Sequence, residues 1–104
     1  MTLEQISKNE IVATAGVAGA IRDARTLEYV NDCLKRLFSG DYGMIPAEDA
    51  EANAAEIRTG QGRIIGRYEQ AHGLKDNILI IAYFSDTYKG IDYNYTTVLY
   101  PSEY

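Results

Sequence analysis

The seven residues Ile78-Leu79-Ile80-Ile81-Ala82-Tyr83-Phe84 are apolar at odd and even positions alike. Successive side chains of an extended chain point to opposite faces of a sheet. A run with no polar face therefore suits an inner strand, covered on both sides or nearly so. This stretch is predicted as the centre of a sheet. Gly62 to Gln70 alternates, with Ile64, Gly66 and Tyr68 on one side and Arg63, Ile65, Arg67 and Glu69 on the other. Tyr93 to Tyr100 sets Thr96, Val98 and Tyr100 on one face and Tyr95, Thr97 and Leu99 on the other, and Pro101 ends it. Ala71–Asn77 reads as a connecting loop, and Ser85–Asp92 as a hairpin loop with Gly90 supplying the turn. Glu10-Ile11-Val12-Ala13-Thr14 is a short β-branched stretch stopped by Ala15-Gly16, predicted to join the same sheet.

Two helices are predicted before the main sheet strands. From Thr26 to Phe38, Leu27, Val30, Leu34, Leu37 and Phe38 recur on one face, beside Cys33. Asp32 and Arg36 stand four apart as an ion pair on the other face. Gly40 is the natural left-handed residue after that helix. Pro46 opens the second helix at its first position, with Glu48 and Asp49 in the first turn. Ala47, Ala50, Ala54 and Ile57 form its stripe, Asn53 falls between them to bond a neighbouring loop or backbone, and Thr59-Gly60 ends it. Residues 1–9 read as loosely ordered, with room for a helical turn, and Val17–Arg22 as another turn. The fold class is α+β: a three- or four-stranded, mainly antiparallel sheet with two or three helices packed on one face.

At 104 residues, 46% of them apolar, this is one domain with a real core. The net charge of −5 excludes a generally basic nucleic-acid binder, since phosphate neutralisation needs clustered Lys and Arg. One cysteine leaves no internal disulfide and fits a reducing cytosol. No apolar run approaches the ~20 residues of a membrane span, and residues 1–10 lack a signal-peptide core. A cytoplasmic protein without a membrane partner is the expectation.

Few residues point to chemistry. Gly60, Gly62 and Gly66 precede a strand, whereas a dinucleotide fingerprint follows one and opens a helix; they read as a helix cap and a strand relaxed where a helix packs. His72, the single histidine, lies in a loop with no nucleophile or orienting partner near it in sequence. Cys33 reads as a packed thiol. One His and one Cys cannot build a typical zinc site, and Asp86 and Asp92 lack the other oxygen ligands of a calcium loop. No catalytic residue, metal or cofactor is expected.

Recognition is better represented. Seven of the nine tyrosines lie between Tyr68 and Tyr104, and tyrosine combines a large apolar ring with one hydroxyl at low entropic cost. Between Ser39 and Ile57 stand five acids, Asp41, Glu48, Asp49, Glu51 and Glu56, and no base: a solvated helix face, or an acidic docking surface. Arg63 and Arg67 share a strand face, where they cover the sheet or, with Tyr68, bind an anion such as a nucleotide.

The segments Ser39-Gly40-Asp41-Tyr42-Gly43, Asp49 with Asn53, Gly62-Arg63-Ile64-Ile65-Gly66-Arg67-Tyr68, and Thr96-Thr97-Val98-Leu99-Tyr100-Pro101-Ser102-Glu103-Tyr104 resemble a family of small plasmid- or phage-related bacterial proteins. Its pattern reads S-G-D-[WY]-G, then D-x-x-x-N, then T-T-[IV]-L-x-P-x-[ED]-Y, over roughly residues 10–104. This chain departs from it in a longer Ser85–Tyr93 hairpin. The resemblance implies carriage on a mobile element and transfers no activity. Joined to the acidity and the tyrosines, it leads to a non-enzymatic protein that binds a host protein or ribonucleoprotein complex, such as an inhibitor of a CRISPR effector. The contact residues are then Asp41, Tyr42, Glu48, Asp49, Tyr88, Asp92, Tyr93 and Tyr95. The alternative is a small anionic-ligand or nucleotide binder using Arg63, Arg67 and Tyr68. Exposed edge strands would permit a homodimer.

Overall fold

A computed structural model describes residues 2–84, 86–88 and 91–104, with side chains for those outside 85–93. Along the chain run α1 (Leu3–Ile6), β1 (Glu10–Ala13), α2 (Ala15–Ala20), α3 (Ala24–Phe38), α4 (Ala47–Thr59), β2 (Gly62–Tyr68), β3 (Ile78–Phe84), β4 (Asp86–Tyr88), β5 (Ile91–Tyr93), β6 (Tyr95–Leu99) and a 3-10 turn at Pro101–Glu103. The main sheet has the order β1-β6-β3-β2, so β3 is an inner strand. It pairs antiparallel with β2 and β6, while β1 joins β6 in parallel. The fold is α+β, with a mixed, mostly antiparallel sheet.

Register assigns the two faces. Ile64, Ile80, Ala82, Thr96 and Val98 share one face. They meet Ile6 of α1, Val17 of α2, and Val30, Cys33 and Leu37 of α3 in a single apolar core. Each large side chain fully buried there contributes about 1.5–3 kcal/mol. The opposite face carries Ile65, Ile81, Thr97 and Val12, and the core helices lie on the other side. The apolar run of β3 is thus covered by helices on one face only. On the second face Ile81 and Leu99 are nevertheless buried.

Several expectations shift. Leu3–Ile6 is helical because Thr2 and Gln5 cap each other: the Gln5 N–H donates to Thr2 Oγ1 at 3.2 Å and the Thr2 N–H to Gln5 Oε1 at 2.8 Å. Ile6 is thereby pinned in the core. α3 starts earlier than predicted, because Asp23 Oδ1 accepts from the N–H groups of Arg25 and Thr26. Its inward stripe is Thr26, Val30, Cys33 and Leu37, and Leu27 is 40% exposed. Arg36 turns from Asp32 to Asp41, Nε to Oδ2 at 2.7 Å. Pro46 caps α4 rather than opening it, and Gly60 ends it at φ 80°. Asn53, not the alanine stripe, is the buried centre of α4, since this helix lies along a strand edge. Gly66 makes room for the Tyr68 ring rather than for a helix. The predicted hairpin loop contains a second ladder, Asp86 to Tyr93 and Tyr88 to Ile91. Its expected turn residue, Gly90, lies outside the described residues.

Candidate binding surface

The helix-free face of the sheet brings aromatic groups from three elements together. Tyr83 of β3 and Tyr95 of β6 have ring centroids 5.1 Å apart, tilted by 40°. Beyond β6 the 3-10 turn returns the chain over the same face, and Glu103 secures that return. Its Oε1 accepts from Thr14 Oγ1 at 2.6 Å and from the Tyr100 N–H at 3.0 Å, and its Oε2 from the Gly16 N–H at 3.0 Å. The bonds from Thr14, Tyr100 and Gly16 hold this carboxyl below the usual carboxylate range. Tyr104 then reaches Arg63, whose Nη1 donates to the phenol oxygen at 2.5 Å. The guanidinium also lies 5.9 Å from the Tyr104 ring centroid. The bond to Tyr104, with a second to Tyr83, raises the Arg63 pKa further.

Between these groups lies an open cavity of about 300 Å³, lined by Thr14, Ile81, Tyr83, Tyr95, Thr97, Leu99, Glu103 and Tyr104. Its floor is apolar and its rim carries hydroxyls and one carboxylate, with the Arg63 guanidinium held behind Tyr104. Such a surface can stack on planar or apolar groups and hydrogen-bond at its border.

The sequence-predicted residues are dispersed. Tyr95 stands in this cavity. Asp41 is engaged in structure: its carboxylate holds Arg36 and accepts from the Gly43 N–H at 3.1 Å, and its carbonyl accepts from Tyr68 Oη at 2.9 Å. The Arg36 bond, then the Gly43 bond, lower its pKa. Tyr42 packs half-buried against the core. Glu48 and Asp49 are exposed in the first turn of α4. Asp49 joins Glu56, Arg63 and Ile65 around a shallow cavity of about 260 Å³ beside β2. Tyr88 lies on β4, and Asp92 and Tyr93 lie on β5; their side chains are outside what the structure describes.

Of the predicted anion-site residues, Arg67 and Tyr68 line one open cavity of about 440 Å³ at the β2 edge with Tyr29, Arg36, Asp41 and Met44, and Arg63 is not among its walls. Strand alternation sends both arginines to the helix-free face and Tyr68 to the core face, where its ring is 0% exposed. It lies flat over Gly66, with the Arg36 guanidinium 4.9 Å from its centroid.

His72 is exposed in a turn, at φ 45°, with its ring 5.6 Å from that of Tyr29 and its carbonyl accepting from Thr26 Oγ1. Cys33 is buried, and burial pushes its thiol up. Among the described residues no group of three or more His, Cys, Asp or Glu could hold a metal ion, and no helix is long and apolar enough to cross a membrane.

Tyr83 and Tyr104 were absent from the predicted contacts. For Tyr83 the signal existed: it faces Arg63 across the ladder, and Tyr95 begins the next strand. For Tyr104 it did not, because only the Glu103 bonds to Thr14 and Gly16 return the chain. Comparisons with protein families, with curated proteins and with solved structures find no match for this chain.

Proposed function

We propose that this protein acts by capture and not by covalent chemistry. It is a non-enzymatic, mobile-element protein that docks on a host protein or ribonucleoprotein, as an inhibitor of a bacterial defence complex such as a CRISPR effector. The observation that carries docking is the helix-free sheet face, where Tyr83, Tyr95 and Tyr104 gather around an apolar floor with Arg63 at the border. Aromatic and arginine side chains in a partly enclosed patch are the groups that dominate binding energy at interfaces. Asp49 and Glu56 of α4 add negative charge beside Arg63, and Glu48 and Glu51 are exposed on the same helix. They suit a basic partner groove and would speed encounter more than they tighten the complex. The mobile-element setting rests on the resemblance described above.

The test pairs capture with protection. The chain is produced in a host carrying an active CRISPR effector, and survival of an incoming targeted plasmid is scored alongside co-purification of the effector. The expected result is protection and co-purification, both lost in a Tyr83→Ala/Tyr95→Ala/Tyr104→Ala variant whose circular dichroism is unchanged. Retention of both by that folded variant would remove this face from the mechanism, and neither protection nor capture by the natural chain would remove the inhibitor reading. Melting with a panel of nucleotides checks the alternative, for which a concentration-dependent rise in Tm is required. The structure divides its residues: Arg63 is engaged with Tyr104, while Arg67 and Tyr68 share a cavity with Arg36, so a rise lost in Arg67→Ala would favour this reading.

A further inference from the structure

The main sheet ends in two edges, and they are treated differently. On β2, Asn53 takes up the N–H and the C=O of Ile65. The Arg67 N–H donates to the Tyr42 carbonyl at 3.0 Å, and the Met44 N–H donates to the Arg67 carbonyl at 2.8 Å. That edge is closed at Ile65 and Arg67, which leaves outward only the backbone groups of Arg63. On β1, the Thr14 N–H donates to the Val98 carbonyl at 3.1 Å. With the parallel register this turns the polar backbone groups of Glu10 and Val12 towards β6 and those of Ile11 and Ala13 outwards. No hydrogen bond among the described residues takes up the outward groups. Ile11 and Val12 are 46% and 43% exposed on the same edge.

We infer that a second copy of this chain occupies this edge, its β1 running antiparallel across a two-fold axis at Val12. The outward residues are symmetric about Val12. In that register Ile11 of each copy exchanges both backbone hydrogen bonds with Ala13 of the other, and no outward group is left over. Val12 meets Val12 at the close, non-hydrogen-bonded position, apolar against apolar. Ile11 lies beside Ala13, large against small, and Glu10 comes opposite the uncharged Thr14. Beyond the paired residues, Lys8 of one copy leads towards the Thr14–Gly16 end of the other, where the Glu103 carboxylate sits. The two-fold pairing uses up the β1 edge of both copies, and with Ile65 and Arg67 already bonded the β2 edge offers a third copy only the single residue Arg63.

Strands of this length bury far less than the about 1,200–2,000 Å² of standard interfaces, so the dimer is weak and reversible. Each copy carries a net charge of −5, so salt strengthens the association.

Sedimentation equilibrium and amide hydrogen exchange from micromolar to millimolar chain test this. The expected result is a mass rising from monomer to dimer, with exchange at Ile11 and Ala13 slowing as the dimer fills. Val12→Lys sets two ammonium groups face to face on the axis. Ile11→Pro removes only an outward N–H and spares the ladder to β6. Both should remain monomeric with unchanged circular dichroism. A natural chain that stays monomeric at millimolar concentration, or that grows beyond two copies, overturns the inference. So does a dimer that persists in both folded variants. Should a variant fail to fold, the natural chain decides: exchange at Ile11 and Ala13 that ignores concentration is refutation.

Discussion

The side-chain amide of Asn53 holds Ile65 at both of its backbone groups, Nδ2 donating to the carbonyl at 2.9 Å and Oδ1 accepting from the N–H at 3.0 Å. One side chain on a helix thereby supplies what a fifth strand would supply, and α4 is locked along β2. Asn53 is 2% exposed, so water cannot replace it. Asn53→Ala is expected to cost about 2–3 kcal/mol, the penalty for stranding two backbone groups, seen as a lower urea midpoint at unchanged slope. Asn53→Asp keeps the acceptor but points a carboxylate at a carbonyl. Its loss should shrink as pH falls far enough to protonate the new acid; a pH-independent loss would speak against this bonding.

Gly66 and Tyr68 are coupled by space. A methyl at position 66 would lie 2.5 Å from Tyr68 Oη and 2.9 Å from its ring. Gly66→Ala must displace the ring and break its bond to the Asp41 carbonyl. Overpacking of this kind costs about 1–3 kcal/mol, a fall in Tm of several degrees. A simultaneous Tyr68→Phe change should cost less than the two single changes added together, since both break the Tyr68–Asp41 bond.

Acid should unfold the protein through three carboxylates. Asp23, Asp41 and Glu103 all have depressed pKa values: Asp23 chiefly from the Thr26 backbone bond, Asp41 from Arg36 and Glu103 from Thr14. A depressed carboxyl stabilises the fold above its unfolded value, ordinarily 3.8 for Asp and 4.5 for Glu. That stabilisation is lost as pH falls through the lower folded value. Tm should therefore be level near neutrality and drop steeply below about pH 4. Glu103→Gln should lower Tm at neutral pH and flatten part of the acid limb; an unchanged limb would show that this carboxylate is not linked to folding.

At the alkaline end the sign reverses. Burial pushes Tyr29 from 10.0 up to about 12, and Tyr68 higher still. Raised groups stabilise fully below their unfolded value, and the contribution is lost as pH climbs from 10 through the folded values. Phenolate absorbance should rise in two stages, exposed tyrosines first, and these two only as near-ultraviolet dichroism collapses.

Cys33 should be inert in the native state. Its burial and raised pKa leave little thiolate at neutral pH. Labelling with a chromogenic disulfide should follow the urea unfolding curve; rapid labelling without denaturant would place the thiol at the surface.

Local pattern was enough for the main sheet strands, the two long helices and the fold class, though not for α1 or the β4–β5 ladder. The unbroken apolar run of Ile78–Phe84 demanded an inner strand, the alternation of Gly62–Tyr68 demanded a neighbour, and Pro46 with Gly60 bounded a helix. These are properties of nearest neighbours along the chain, where the periods 2 and 3.6 are set by covalent geometry. The fate of Asn53 was partly legible, since a polar residue on an apolar helix face must find a partner, though not which one.

Tertiary structure alone decided where the candidate surface lies. Whether the second face of β3 meets a helix depends on which side α1, α2 and α3 settle. Their apolar stripes fit either face equally well in the sequence. The bonding of Asn53 to Ile65, the pairing of β1 with β6 that leaves Ile11 on an edge, and the return of Tyr104 over Arg63 each join residues more than ten positions apart. Such contacts are chosen by the free energy of the assembled core, and no window of local sequence contains them.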